Sequence, residues 1–257
     1  MGVSVFQVAA VIPTFKHFEY AKRAVRSFLE ATPGSLAILV DDGSPDWPGD
    51  FVVRTWADPK RFLIHRFPQN NQDLTRSWNK GLEMARDAGA IYTVVTNSDV
   101  MFIDGWWPST QYALDNGCHL AGPITNAAGH RKQQSWKNYC VNPMVKDDVG
   151  YLIKVSSNIR KQHGNKTSID VRGLNGFCMV ARTDVWWDRP YGPTTPFDPR
   201  YKMEKNEDKL AARWRKLSRR ISIVPGSFVF HYRGVSRGGL AIRGEQGKGH
   251  YRPKRKK

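Results

Sequence analysis

The sequence predicts an α/β fold, a Rossmann-like and mostly parallel sheet flanked by helices. Three observations lead there. An apolar run at 5–12, an amphipathic stretch at 17–31 and an apolar run at 36–40 have the spacing of a parallel βαβ unit, with a right-handed crossover. A second strand, helix and strand follow between 62 and 96. The runs end abruptly in polar residues (Pro13-Thr14, Asp41-Asp42, Asn97-Ser98-Asp99), at the carboxyl edge where open α/β sheets bind ligands.

Taken in order, the first strand ends at Pro13, because proline cannot continue a central ladder. Phe18, Ala21, Val25, Phe28 and Leu29 give residues 17–31 a helical stripe, and Pro33-Gly34 stops it. The strand at 36–40 runs into Asp41-Asp42-Gly43-Ser44, whose carboxylates can accept hydrogen bonds from a base imide or a ribose hydroxyl. The third strand is 62–67. Asn70-Asn71-Gln72-Asp73 offers caps for a helix reaching Asp87, with Leu74, Trp78, Leu82 and Ala85 inward and Arg76, Asn79 and Lys80 off that stripe. Gly89 closes the helix. The central strand at 91–96 delivers Asn97, Ser98 and Asp99, a carboxylate placed to hold a divalent metal or, alternatively, a turn and cap. A helix from Trp106 runs to Asn116. Residues 125–172 are polar, basic and aperiodic, and read as an insertion over the sheet edge with an irregular or helical lid. Residues 176–182 return to strand and a short helix follows. Glu204-Lys205-Asn206-Glu207-Asp208 starts another helix reaching Leu217, and 221–224 and 228–232 are two short last strands, the second ending near His231.

Composition narrows the function. Of the 257 residues, 40% are hydrophobic, enough for a full core. No apolar run reaches the roughly 18–20 residues of a transmembrane helix, so no transmembrane segment is expected. Met1 to Thr14 has no basic leader. Cys118, Cys140 and Cys178 are odd in number and widely spaced, which excludes a disulfide framework or zinc module and fits a reducing, cytoplasmic location. No G-x-G-x-x-G loop or Walker lysine occurs, which disfavours a dinucleotide fold and an NTPase. Forty Lys and Arg against 23 Asp and Glu give a net charge of +17, which implies a polyanionic partner, nucleic acid or an anionic membrane surface.

Val11-Ile12-Pro13-Thr14-Phe15, Leu39-Val40-Asp41-Asp42-Gly43-Ser44, Asn79-Lys80-Gly81 with Ala85, Asn97-Ser98-Asp99, Glu207-Asp208, and Val224-Pro225 with His231 and Ser236 occur in a fixed order. In that order the chain resembles a family 2 glycosyltransferase with a GT-A fold. The resemblance implies a GT-A domain over 1–236, divided into a nucleotide-sugar-binding half (1–124) and an acceptor-side half (125–236) that carries the basic insertion. A flexible basic tail follows at 237–257. Pro13, Thr14, Asp41, Asp42, Arg76, Asn79, Asn97 and Ser98 would surround the nucleotide sugar, a UDP-sugar above all. Asp99 would ligate Mn2+ or Mg2+, with His231 completing the site and favouring Mn2+. Asp208, or Glu207, would be the general base, which implies inversion by single displacement. Asn97 stands where the family has the first aspartate of its Asp-x-Asp motif, which weakens the negative charge at the metal.

The acceptor follows from charge. Basic residues of the insertion, the Lys209–Arg220 stretch and the tail lie among Trp136, Tyr139, Trp186, Trp187, Trp214, Tyr232 and Tyr251. Cations neutralise phosphates and aromatics stack exposed bases; the same aromatics could instead be core. The expected acceptor is a hydroxymethylated pyrimidine in DNA, as with virus-encoded DNA-modifying glycosyltransferases, acting in the host cytoplasm if viral. The alternatives are a surface-glycan or lipid-linked acceptor at an anionic membrane, and an inactive nucleic-acid-binding GT-A scaffold.

Overall fold

The computed structural model describes residues 6–69, 72–128, 130, 132–134, 148–188, 190–191 and 195–232. The tail with Ser236 and Tyr251 lies outside them, as do Asn70, Asn71, Trp136, Tyr139 and Cys140. The chain runs β1 (Val8–Thr14), α1 (Phe18–Ala31), β2 (Leu36–Asp41), α2 (Asp50–Arg54), β3 (Phe62–Arg66), α3 (Leu74–Asp87), β4 (Tyr92–Thr96), β5 (Val100–Phe102), α4 (Trp106–Asp115), β6 (Leu120–Ile124), α5 (Val149–His163), β7 (Ile169–Asp170), β8 (Cys178–Arg182), α6 (Thr183–Trp187), α7 (Asn206–Lys216) and β9 (Ile221–His231). Among the described residues no helix is long and apolar enough to cross a membrane.

The strands form one sheet in the order β3-β2-β1-β4-β8-β6-β9-β5, with β7 on β9. β3, β2, β1 and β4 are mutually parallel, so the ends of β1, β2 and β4 share one edge. β8 turns antiparallel against β4, and β6 pairs parallel with β9. Residues of β1 alternate between the two faces. Ala9 and Val11 pack with Trp78 and Leu82 of α3, Trp186 of α6, Trp214 of α7 and Leu152 of α5. Val8, Ala10 and Ile12 pack with Phe28 of α1 and Trp106 of α4. Burial on both faces is why these strands read as unbroken apolar runs.

Several expectations change. β1 continues through Pro13 to Thr14. Thr14 bonds toward β2, its carbonyl accepting from Asp42 N–H at 2.8 Å. By alternation Pro13 faces β4, where pairing already ended at Val11, so its missing N–H leaves nothing unpaired. The two last strands are one, carried past Pro225-Gly226 by a bulge: β6 Pro123 pairs with Val224, but Ile124 pairs with Phe228. Within the stretch read as an insertion with an irregular or helical lid, residues 149–163 form α5, and its Leu152, Val155 and Ile159 belong to the core.

α3 is held close to β1 by Gly81. A Cβ there would lie 2.1 Å from Val11 Cγ1, inside the core. Gly81→Ala is therefore expected to cost about 1–3 kcal/mol by overpacking, read as a lowered midpoint in urea with an unchanged slope. A midpoint at the wild-type value would mean that α3 can lift off β1 without cost.

Candidate active site

The parallel strand ends build a cleft of about 290 Å³ lined by Pro13, Thr14, Phe15, Asp42, Gln72, Ser77, Asn97, Ser98 and Met203, among others. Its floor is the sheet edge. The turn after β2 reverses at Gly43, whose φ of 77° only glycine takes easily. Ser44 closes that turn by giving its N–H (3.0 Å) and hydroxyl (2.5 Å) to the Asp41 carboxylate, and Arg66 Nε adds a third bond at 3.3 Å. Asp41 is fully buried and does not line the cleft. Its carboxylate braces the turn that presents Asp42.

Asp42 does line the cleft. Its carboxylate accepts from Arg76 Nε at 2.6 Å and from the Asp73 N–H at 3.1 Å. Asp73 in turn caps α3 by accepting from the Arg76 N–H at 2.9 Å. Burial raises the pKa of Asp73 above the ordinary carboxylate value, with the Arg76 N–H pulling the other way. Arg76 lies over the Phe67 ring, 4.1 Å from its centre. Arg76 thus orients Asp42 from the side. Asn79 is not brought to the cleft. Its amide is buried and holds Phe197 by both ends, donating to the carbonyl (3.0 Å) and accepting from the N–H (2.8 Å). The exposure expected from its place off the apolar stripe is overridden by this backbone clamp.

Asp99 and His231 meet through β5, a strand absent from the sequence reading. β5 pairs antiparallel with the end of β9, Val100 opposite His231, and the Asp99 carbonyl accepts from Tyr232 N–H at 2.8 Å. His231 Nδ1 lies 2.7 Å from the Ala127 carbonyl. A carbonyl only accepts, so Nδ1 carries a proton, and the ring thereby presents Nε2 to Asp99 Oδ1, 3.2 Å away. Asn97 Nδ2 stands 3.4 Å from the same Nε2. Asn126 grips the His231 backbone on both sides, at 2.7 and 2.9 Å, and Phe177 stacks on the ring at 5.5 Å. An imidazole nitrogen and a carboxylate oxygen brought together in a nearly buried pair are donor types that suit a divalent cation. Among the described residues no group of three or more His, Cys, Asp or Glu could hold a metal, so further ligands would come from a bound substrate or water.

Glu207 and Asp208 open α7. Asn206 anchors that helix by donating to Thr75 Oγ1 of α3 at 3.2 Å. Both carboxylates line a separate cavity of about 550 Å³, together with His130, Arg172, Asn175 and Arg215. They point differently. Glu207 is half-buried on the side of Leu210 and Trp214, and a Cβ at Gly176 would be 3.3 Å from its carboxyl carbon. Asp208 is exposed to the cavity. The segment between them and the cleft is short, since Met203 lines the cleft.

The aromatics expected to face an acceptor mostly do not. Trp186 and Trp214 are fully buried and packed on each other at 5.3 Å. Trp187 carries the Arg86 guanidinium at 4.2 Å, and Tyr232 packs edge-on against Tyr20. Trp136, Tyr139 and Tyr251 lie outside the described residues. Sequence reasoning missed Phe15, Gln72, Ser77 and Met203 in the cleft and Asn126 behind His231. Phe15 directly follows Thr14 at a strand end and could have been found by that position alone.

The sequence matches the family model for glycosyl transferase family 2 over residues 9–190. No curated protein matches it. The structure is similar to that of GalNAc-T7 solved with UDP, GalNAc and Mn2+, at a TM-score of 0.64 and 13% identity. That match covers 88% of this chain and 44% of the other, so this chain spans less than half the length of GalNAc-T7 as solved.

Proposed function

The chain belongs to glycosyl transferase family 2 and has the GT-A fold, and from that premise we propose that it moves a sugar from a nucleotide-sugar donor to a hydroxyl acceptor. The observation that carries the reading is the meeting of Asp99 and His231 directly behind Asn97 and Ser98, which line the Thr14–Asp42 cleft. The nucleoside enters the cleft against Thr14, Phe15 and Asp42, and the diphosphate reaches Asn97, Ser98 and Asp99. Asp99 and His231 would hold a divalent cation, which would supply positive charge against the departing diphosphate. Mn2+ suits the imidazole, with Mg2+ the alternative. The UDP and Mn2+ held by GalNAc-T7 support that choice of donor and metal.

Asp208 is the general base of this proposal. It stands exposed in the cavity an acceptor would enter, while Glu207 is half-buried with its carboxyl group against Gly176. The acceptor oxygen bonds to the anomeric carbon as the bond from that carbon to the diphosphate breaks. Asp208 takes the hydroxyl proton, and the sugar inverts.

The acceptor we propose is a hydroxymethylated pyrimidine in DNA. The net charge of +17 and the arginines beside Asp208 support it. Burial of Trp186 and Trp214 removes two stacking surfaces and keeps a lipid-linked acceptor at an anionic membrane as the second reading. The test supplies a panel of nucleotide sugars with Mn2+ to hydroxymethylpyrimidine DNA, plain DNA and a lipid extract, with mass spectrometry of digested products. A sugar-sized gain on the modified nucleoside is expected. Transfer to lipid alone would move the acceptor to the membrane, and no transfer with no donor hydrolysis would leave only a binding scaffold.

Asn126 should matter without touching substrate. Asn126→Ala frees the His231 backbone and is expected to weaken Mn2+ binding by about 10- to 100-fold, as loss of a supporting partner does at metal sites. Electron paramagnetic resonance titration of free Mn2+ reads this directly. A wild-type titration curve would mean that β9 alone holds His231 in place.

A further inference from the structure

The cavity beside α7 is polarised. Glu207 and Asp208 stand at one side, and Arg172 and Arg215 line it as well. Most neighbouring arginines have their charge occupied. Arg200 pairs with Asp198, Arg219 with Asp188 and Arg220 with Asp170. Arg172 and Arg215 have no carboxylate partner among the described residues, although two carboxylates share their cavity. Arg215 Nη1 donates to the Arg172 carbonyl, which anchors that guanidinium at the rim beside Arg172. Its other N–H groups stay available. Both residues line the same cavity, and guanidiniums are suited to a phosphate.

The shape narrows the ligand. An anionic bilayer meets a flat basic face, and carboxylates set among the arginines would repel it. A volume of about 550 Å³ falls in the range of single-ligand pockets and cannot admit a stacked duplex. We infer that the cavity receives one extruded nucleotide of the acceptor strand, its phosphate held between Arg172 and Arg215 and its hydroxyl turned to Asp208. This rests on the DNA-acceptor reading above. It adds that recognition is of a phosphate next to the reacting nucleotide, and that the target leaves its stack to react.

The test uses the full chain with Mn2+, donor, and a single-stranded oligonucleotide carrying one hydroxymethylpyrimidine. Replacing both arginines (R172Q/R215Q) is expected to raise the oligonucleotide KM by roughly 10- to 100-fold, the scale of one or two charge-assisted hydrogen bonds. The slope of log KM against log salt should become shallower by about 0.7 for one lost phosphate contact. Mn2+ titration of the same variant should match wild type and so report an intact fold. R172K/R215K, which keeps the charge, should recover the salt slope. Transfer to the oligonucleotide with KM and slope unchanged in R172Q/R215Q overturns this inference alone. Transfer to phospholipid-borne acceptors and to no oligonucleotide overturns the DNA reading and this inference with it.

Discussion

Asp99→Asn is expected to reduce both sugar transfer and donor hydrolysis by about a thousandfold or more, the several kcal/mol of charge stabilisation that a divalent cation supplies. The substitution is nearly isosteric and takes away the carboxylate of a pair that is 2% exposed on the Asp99 side and 7% on the His231 side. The physical signature lies in stability. In the wild type, Mn2+ at 100 times its Kd adds about 2.7 kcal/mol to the folded state, roughly 5–10 °C in Tm for a chain of this size. Asp99→Asn should still fold and melt cooperatively, because it keeps the side chain's volume and leaves an amide facing Nε2. It should show no Mn2+-dependent rise. A variant with the full Mn2+ shift would remove Asp99 from the metal site, whatever its activity.

Asp208→Asn should lower kcat by about 10²- to 10⁴-fold, the usual worth of a positioned base, with donor KM and Mn2+ affinity unchanged. Asp208 is exposed, so its loss leaves the fold alone. Glu207→Gln keeps the volume packed against Gly176 and should cost less. Single-turnover rates on saturating acceptor separate the two. If Glu207→Gln loses more than Asp208→Asn, the base is the inward carboxylate and the exposed one merely flanks the acceptor.

The parts of the fold legible in the sequence are those with local causes. α1 and α3 follow apolar periodicity. The end of α3 at Gly89 was readable because glycine permits the paired bonds Ala90 N–H to Ala85 carbonyl (3.1 Å) and Gly89 N–H to Arg86 carbonyl (2.9 Å). β5 and β6 were not readable. β5 is three residues long, and β6 carries Gly122 and Pro123, which mimic a loop. Pro225-Gly226 likewise read as a break, when a bulge keeps β9 continuous.

The candidate site divides along the same line. That Asp41-Asp42 sits at a sheet edge follows from the run of apolar residues before it. Which of the two faces the cleft depends on Ser44 and Arg66 taking up Asp41, a matter of lone pairs that adjacency in sequence does not reveal. Asn79 fails for the same reason, since Phe197 lies 118 residues away. Asn126 went unseen because its partner is the backbone of His231, and backbone acceptors leave no mark on residue type.

The Asp99–His231 contact joins residues 132 positions apart, and this sets an order of assembly. β1 with β2 (Ala9 opposite Leu36) and β2 with β3 (Ala37 opposite Phe62) pair locally, and β4 reaches back to β1 with Tyr92 opposite Val8, all before β9 is made. Closing β9 on β5, with His231 opposite Val100, takes a longer loop and the last strand of the sheet. Nucleotide recognition therefore matures before metal recognition. A chain released before residue 221 would hold a nucleoside cleft with half a cation site, able to sequester donor and unable to use it.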